Sequence, residues 1–358
     1  MIFSNKFLKP FLFATSLVFK SFVLLRLLAY RKGWLKTKLV NTPVISVGNL
    51  TVGGTGKTPV VDLLIKELQR LKKQPAVLSR GYKRKDTSSQ QRLRFCEEKR
   101  IDPAFFGDEP YLLAQRNPEV PVYVGSSRII TAGLAEKQDH PDILLLDDAY
   151  QHLAIHRDLN LLLIDAEQGL GNRHLLPFGV LREPENQWKR ADAVIITKTN
   201  LATSDTVLQM LKHELQVNCP VFKFKYEVQG LTRLDGKAQL NLNEIINKQL
   251  LLTSGIAQPK GFERLLEQQS VEIIGKIEFP DHHDYGAEDV RKILEKQQKL
   301  KPEYLLTTEK DAVKLRNFAE LGEQIWVLEM EMIPDNLWND FLAEFLRVKF
   351  ENLKNENH

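Results

Sequence analysis

Residues 51–58 read TVGGTGKT and follow an apolar, β-branched run at 43–47. Gly56, Lys57 and Thr58 fit the end of the phosphate-loop pattern G-x-x-x-x-G-K-[ST], whose first glycine is replaced by Thr51. The setting favours a phosphate cradle. The run at 43–47 reads as a buried strand, and Val60, Val61, Leu63, Leu64 and Leu68 recur at helical spacing after the loop. Backbone N–H groups at such a helix start point at an anion, and the helix dipole favours negative charge there. Gly53, Gly54 and Gly56 permit positive φ and close approach of the backbone to phosphate oxygens. Thr51, Val52, Gly53, Gly54, Thr55, Gly56, Lys57 and Thr58 are therefore the expected nucleotide-binding residues. Lys57 would reach the β/γ-phosphates, and the Thr58 hydroxyl would coordinate Mg2+. The competing reading is a glycine-rich turn that carries an exposed lysine.

A second phosphate-handling element is DILLLDDAYQH at 142–152. Its apolar run delivers Asp147 and Asp148 to the C-terminal edge of a buried strand, where ligands bind in open α/β sheets. An acid there commonly holds Mg2+ beside a phosphate loop, and two adjacent acids repel unless a cation is near. A plain acidic turn is the alternative. FFGDEPYLLA at 105–114 looks like a helix start with Asp108 and Glu109 on the favourable end of the dipole, and capping alone would account for it. FPDHHDY at 279–285 sets His282 and His283 between Asp281 and Asp284 in a loop. An imidazole beside a carboxylate is a candidate general base or proton relay. A solvated loop competes with that reading; so does a metal site, although three or four ligands at metal spacing are lacking. Arginines recur in glycine-containing loops, in SRGYKR at 79–84, VGSSR at 124–128 and GNRHLLPFGVLREP at 171–184. Their guanidinium forks suit phosphate recognition. TTEKDAVKL at 307–315 is a further polar signature.

The bulk properties describe what must position these groups. A chain of 358 residues suggests two domains, and 43% hydrophobic with 27% charged residues describes a globular protein rather than a disordered one. The formal charge of +4 is mild but uneven. Residues 1–61 contain no Asp or Glu, against Lys6, Lys9, Lys20, Arg26, Arg31, Lys32, Lys36, Lys38 and Lys57. Within that span, LKPFLFATSLVFKSFVLLRLLAYRKGWLK is apolar but split by Lys20 and Arg26, so it holds no uncharged run of 18 residues. No small-residue cleavage site precedes Arg31-Lys32, which disfavours a signal peptide. Bulky apolar side chains mixed with Lys and Arg predict an interfacial helix whose basic groups meet anionic headgroups. A helix packed on the core and a spanning helix are the alternatives. Cys96 and Cys219 lie far apart without ligand spacing and read as free thiols.

From residue 43 onward apolar strands alternate with helical patterns, which predicts an α/β fold with a mostly parallel sheet flanked by helices. Strands are expected at 75–78, 120–124, 142–146, 159–164 and 193–197, with a polar excursion over 82–94. From Cys219 the pattern alternates in period two around Gln229-Gly230 and Asp235-Gly236, a hairpin or pair of ribbons leading into a second, smaller α/β lobe. That lobe is expected to contain strands at 249–253, 271–277 and 304–307 and helices at 259–269 and 286–300. The tail has helical spacing over 337–348 and should fray after it. The expected division is a membrane-associating helix at 1–35, a phosphate-loop core at 36–220, a second lobe with a β-ribbon linker at 221–350 and a disordered tail at 351–358.

Taken in order, TVGGTGKTP, GDEP, DDAYQH, the LREP segment, FPDHH and TTEKD resemble one family, the tetraacyldisaccharide 4'-kinases, over about residues 10–345. The resemblance implies a P-loop NTPase-like fold and ATP-dependent phosphorylation of the 4'-hydroxyl of a tetraacylated, β-1,6-linked glucosamine disaccharide 1-phosphate. The implied product is the lipid IVA precursor, made at the cytoplasmic face of a Gram-negative inner membrane. It further implies a catalytic dyad between the GDEP aspartate and the DHH histidine, here Asp108 and His282, working with Lys57. Asp108 would take the sugar proton, tuned by His282, with closure of the two lobes. Thr58, Asp147 and Asp148, helped by Glu183, are the expected Mg2+ ligands, and Arg80, Arg128 and Gln151 the expected contacts to the lipid substrate. The family pattern has Gly-Phe where this chain has Ala149-Tyr150, and Gly-Pro where it has Gly179-Val180, changes of shape rather than charge. Expected partners are ATP, the acylated disaccharide and a phospholipid surface; no nucleic acid is expected, and a monomer is. The reading from another class is a membrane-associated regulatory NTPase.

Overall fold

The computed structural model describes residues 8–81, 84–85, 90–97, 103–202 and 205–356. Helix α1 (Lys9–Arg31) precedes an eight-stranded sheet. Its strands are β1 (Val44–Asn49), β2 (Pro75–Ser79), β3 (Gln91–Leu93), β4 (Val122–Val124), β5 (Ile143–Leu146), β6 (Leu159–Asp165), β7 (Ala193–Thr197) and β8 (Val221–Lys223). They lie in the order β3-β4-β2-β5-β1-β6-β7-β8, parallel throughout except for β3, which runs antiparallel to β4. Helices α2 (Lys57–Arg70), α3 (Pro103–Phe106), α4 (Asp108–Arg116), α5 (Arg128–Gln138) and the short α6 (Asp205–Gln209) connect these strands. Burial on both faces explains the continuous apolar runs of the central strands. On β1, Ile45 and Val47 face the core built with Val60, Leu64 and Leu68 of α2, while Val44 packs on the opposite face beside Ala132 and Ala135 of α5.

The chain then passes into a six-stranded sheet. Strands β9 (Lys225–Arg233), β10 (Gln239–Leu240), β11 (Gln249–Ser254), β12 (Glu272–Glu278), β13 (Tyr304–Thr308) and β14 (Ile325–Ile333) lie in the order β10-β9-β14-β13-β11-β12. Helices α7 (Pro259–Glu267), α8 (Ala287–Leu300) and α9 (Glu309–Leu315) complete the second lobe, and α10 (Trp338–Glu356) follows.

Several boundaries differ from the sequence reading. Of the polar excursion, 82–83 and 86–89 lie outside the described residues, and 91–93 forms the edge strand β3. Of the expected ribbon, β8 pairs with β7 and so completes the first sheet, whereas β9 pairs with β14 in the second. The Asp235-Gly236 turn joins β9 to antiparallel β10, with Gly236 at φ 75°. Gly230 sits at a register shift of the β9–β14 ladder, so a bulge stands where a turn was expected. Helix α10 belongs to the first lobe: Trp338, Leu342 and Leu346 join the core of Ile45 and Leu64, with Trp338 packed edge-on against Phe222 and Phe224. It continues to Glu356 where fraying was expected, and 357–358 lie outside the described residues.

Of the N-terminal segment, residues 1–7 lie outside the described residues. Helix α1 spans 23 residues, about 35 Å at 1.5 Å per residue. Only Ser16 and Val23 on it are buried, while Phe11 is 66% and Phe22 68% exposed. It is long and apolar enough to cross a membrane by length and composition. The core-helix alternative does not describe it. One side is fastened to the first lobe, where Ser16 Oγ donates to the Leu175 carbonyl at 2.8 Å, Phe13 packs on His174 and Phe178, and Arg26 donates to the Gln151 carbonyl.

Candidate active site

The C-terminal ends of five neighbouring strands bring the polar groups together. Ser79 and Arg80 end β2, Asp147 and Asp148 follow β5, the glycine-rich loop follows β1, Asp165 ends β6, and Thr197 and Lys198 end β7. They open into a cavity of about 970 Å³ whose opposite wall is second-lobe Ile256, Gln258, Asp281, His282, Lys310 and Met330. This is the edge at which ligands bind in open parallel sheets.

In the loop, Gly53 has φ 115° and Gly56, at the start of α2, φ 80°. Val52 through Thr58 line the cavity. Thr51 does not: it lies outside the left-handed region, bridges Leu181 and accepts from Asn49 Nδ2 at 3.3 Å. The conformation at this position makes no demand for glycine, which is the physical reason a threonine is tolerated there. Lys57 is 9% exposed, donates to Asn49 Oδ1 at 3.5 Å and lies 3.7 Å from Asp148 Oδ1. The Lys198 ammonium pairs with Asp165 at 2.6 Å and donates to the carbonyl of Gly54, so β6 and β7 brace the loop from below.

The acid pair is asymmetric. Asp147 accepts from Ser79 Oγ at 3.1 Å through Oδ2, while its buried Oδ1 has no hydrogen-bond partner among the described residues. Burial, Glu109 and Asp148 together push its carboxyl well above the usual range. Asp148 accepts from Arg182 at 2.9 and 3.0 Å; burial works to raise it, but Lys57 and Arg182 hold it below the usual range. Among the described residues no group of three His, Cys, Asp or Glu side chains is arranged to hold a metal. The residues nevertheless fit Mg2+, which typically takes one or two carboxylates with phosphate and water oxygens. An orphaned buried carboxylate oxygen beside a second acid is where a cation would relieve the repulsion.

Glu183 does not belong with that pair. It is 1% exposed and absent from the cavity wall; Arg190 donates to Oε2, and Arg26 stands 3.8 Å from Oε1. Its Oε1, like Asp147 Oδ1, has no hydrogen-bond partner among the described residues, but the fold sets Glu183 among guanidinium groups rather than on the cavity wall with Asp147 and Asp148. Arg80, Arg128 and Gln151 all line the cavity. Arg128 donates to the carbonyls of Gly125 and Asp147, and Gln151 Nε2 to that of Asn49. Of the departures from the family pattern, the extra hydroxyl of Tyr150 is satisfied by the Gln187 carbonyl at 2.7 Å.

Asp108 and His282 meet across the lobes. Helix α4 carries Asp108 in its first turn after Gly107 at φ 91°, with no side-chain cap. Its Oδ2 lies 3.1 Å from His282 Nδ1 and 3.1 Å from Lys314 Nζ. Lys310 Nζ lies 3.1 Å from His282 Nε2 and 3.1 Å from Asp281. The two imidazole contacts fit one tautomer, with Nδ1–H donating to Asp108 and Nε2 accepting from the Lys310 ammonium. Burial works to raise the Asp108 carboxyl, but the His282 hydrogen bond and the Lys314 charge outweigh it and keep it low. His282 lines the cavity, and Asp108 sits one hydrogen bond behind it. The His282 loop is tied down by its own N–H to the Gly255 carbonyl and by Asp311, which accepts from Gly255 N–H, Tyr285 and Thr308. Close by, Arg116 of α4 joins Asp62 of α2 to Glu309 of α9.

Sequence reasoning passed over Glu109, Arg182, Lys198 and Lys310 as site residues, although all four line the cavity. Three stood in segments already noted as polar. Lys198 had its own signal, a cation directly after the apolar strand at 193–197.

The family model for tetraacyldisaccharide-1-P 4'-kinase (LpxK) matches residues 8–347. A tetraacyldisaccharide 4'-kinase of Bdellovibrio bacteriovorus is 41% identical over 290 residues, 81% of this chain and 84% of the relative. One from Desulfatibacillum aliphaticivorans is 36% identical over 345 residues, 93% of this chain and 91% of the relative. The crystal structure of LpxK from Aquifex aeolicus in complex with ATP superposes with a TM-score of 0.73 at 29% identity, covering 94% of this chain and 99% of that one. With these likenesses running nearly end to end, the chain belongs to the tetraacyldisaccharide 4'-kinase family.

Proposed function

We propose that the protein transfers the γ-phosphoryl group of ATP to the 4'-hydroxyl of a tetraacylated disaccharide 1-phosphate, giving lipid IVA. The observation that carries this reading is the convergence on one cavity of a glycine-rich phosphate loop from the first lobe and an Asp108-bound imidazole from the second. Phosphoryl transfer asks the protein for positioning and charge neutralisation. The amides of 52–58 cradle the phosphates, and Lys57 offsets charge on the β/γ oxygens. Asp147, Asp148 and Thr58 would hold Mg2+, which when bound neutralises the developing phosphate charge.

The sugar proton goes to the dyad. With His282 Nδ1 engaged by Asp108 and Nε2 by Lys310, both ring nitrogens are occupied. Asp108 Oδ1 is then the basic atom of the pair, since His282 and Lys314 both bind Oδ2. Arg80, Arg128 and Gln151 meet the polar head of the acceptor. Relative lobe movement admits that head past the imidazole and excludes water from the γ-phosphate. The test is a kinase assay with ATP and the disaccharide 1-phosphate in detergent, run beside an acceptor-free ATPase assay. Acceptor-dependent phosphate transfer is expected. ATP hydrolysis of equal rate without acceptor would instead point to a regulatory NTPase.

Helix α1 is proposed to seat a monomer on the cytoplasmic leaflet of the inner membrane. Its exposed Phe11, Leu17, Phe22 and Leu25 offer apolar area worth about 25 cal/mol per Å² when removed from water. Changing Phe11→Glu and Phe22→Glu together in the full chain is expected to move most of the protein from vesicle pellet to supernatant in co-sedimentation. It should raise KM for lipid more than for ATP. Undiminished pelleting would sink the membrane role of this face.

A further inference from the structure

A guanidinium ties the seam between the lobes. Arg116, in the last turn of α4, donates through Nε to Glu309 Oε1 at 2.9 Å and through Nη1 to Asp62 Oδ2 at 2.8 Å. Its Nη2 donates to the other Glu309 oxygen and to the Met330 carbonyl at 2.7 Å. Asp62 belongs to α2 of the first lobe, whereas Glu309 and Met330 belong to α9 and β14 of the second. Asn117 donates to Asp62 Oδ1 at 2.7 Å, so both oxygens of that carboxylate are fixed in direction. With Nε and Nη2 spent inside the protein, Arg116 presents no open fork to a ligand.

Stability alone is a weak reason for such a group. The side chains of Asp62, Glu309 and Arg116 are 4%, 17% and 18% exposed. Burial raises the Glu309 carboxyl against the pull of Arg116. For charges withdrawn this far from water the cost of desolvation rivals their attraction, and an apolar contact of the same shape would hold the lobes as well. What the ion triad adds is direction, because a planar fork meets its carboxylates in one register. Lys66 to Glu331 and Arg316 to Gln115 cross the same seam in solvent, where such contacts contribute little.

The register matters because each tied helix also carries a group of the proposed reaction. Helix α2 begins with Lys57 and Thr58 and bears Asp62 about 8 Å further along its axis. Helix α4 begins with Asp108 and bears Arg116 about 12 Å on. Helix α9 begins with Glu309, followed by Lys310 and Lys314, which hold His282 and Asp108. We propose that Arg116 is a positioning residue for phosphoryl transfer: by clamping α2 to α4 and α9, it sets the gap between the phosphates on Lys57 and the proton acceptor Asp108. This rests on the reaction proposed above and adds what keeps its two halves in register.

Removing the side chain outright would strand Asp62 and Glu309, so the test uses Arg116→Lys, which keeps the charge and loses the fork. Single-turnover transfer from ATP to the tetraacyldisaccharide 1-phosphate is measured on the full-length protein in detergent, beside Kd for ATP. Spin labels on Arg70→Cys of α2 and Glu295→Cys of α8, both exposed, report the distance between the lobes in a Cys96→Ser, Cys219→Ser background. Arg116→Lys is expected to slow transfer about 10–100-fold, the scale set by a misplacement of about 1 Å, and to broaden the distance distribution while Kd for ATP holds. In the Asp108→Asn background, which lacks the proton acceptor, the same change should cost at most about threefold, since residues acting through one step are non-additive. An equal cost in both backgrounds would reduce Arg116 to general packing and overturn the proposal, and so would an unchanged rate. Weakened ATP binding that accounts for the slower transfer would make Arg116 a nucleotide contact and overturn it too. Should Arg116→Lys fail to fold, Glu309→Gln, which keeps the shape and one acceptor oxygen, carries the same expectations. Absence of acceptor-dependent transfer in the unmodified chain, with a distance that still responds to Arg116, would count against the reaction and leave the clamp standing.

Discussion

Asp108→Asn is expected to slow phosphoryl transfer by about 10²–10⁴ in a single-turnover experiment with saturating acceptor, with little change in KM for ATP. Asparagine keeps the size of the side chain and can still accept from His282 Nδ1–H, but it carries no charge and cannot take the sugar proton. The rival account, a helix cap, predicts that Asn serves nearly as well as Asp. The geometry argues against that rival, because the carboxylate binds His282 and Lys314 of the other lobe and makes no side-chain cap on α4. His282→Ala should also cut kcat severely, and the double variant should cost little more than the worse single, since residues acting as a unit are strongly non-additive. Wild-type transfer rates in Asp108→Asn would defeat the dyad and hand proton transfer to another group, with Asp147 the first to examine.

Lys57→Ala is expected to lower kcat by about 10²–10³, the usual cost of one electrostatic contact to a developing oxyanion. The fold should survive. Lys57 stands 3.7 Å from Asp148, but Arg182 holds the same carboxylate at 2.9 Å, so the truncation does not strand a buried charge. Steady-state kinetics alongside a thermal melt separates the two effects. Near-normal turnover in a folded variant would rule out a catalytic phosphate loop, whatever its sequence looks like.

Much of the fold was legible because it is written in short-range pattern. The strand expected at 193–197 is β7 to the residue, and helices α7 and α8 fall within two residues of the expected spans, since period and turn residues are local properties. The two errors of allegiance were not local. Strand β8 and helix α10 flank the second lobe in sequence, yet their apolar faces complete the first core, and no residue within either announces which core it will meet. The Gly230 bulge was likewise invisible, because a glycine in a strand reads the same whether its partner strand turns or slips.

The site divides along the same line. By itself the sequence determined which chemistry was present: a phosphate loop after a strand, paired acids at a strand end, and a histidine between carboxylates. Each is a matter of residue type at close spacing. Tertiary structure decided which of these groups meet and what each one faces. Asp108 and His282 lie 174 positions apart, and they stand 3.1 Å from each other where α4 packs on α9 and Arg116 joins Asp62 to Glu309. Glu183 stands in an arginine-containing stretch, and only folding sets Arg190 and Arg26 upon it and leaves it off the cavity wall. Thr51 looked like a defect in the loop, and the backbone at that point turned out to need no glycine. Arg26 carried no signal beyond its charge, and it is the packing of α1 along the first lobe that brings it to the cavity. Electrostatic partners are set by distance in space, and in a parallel sheet neighbouring strands come from remote parts of the chain.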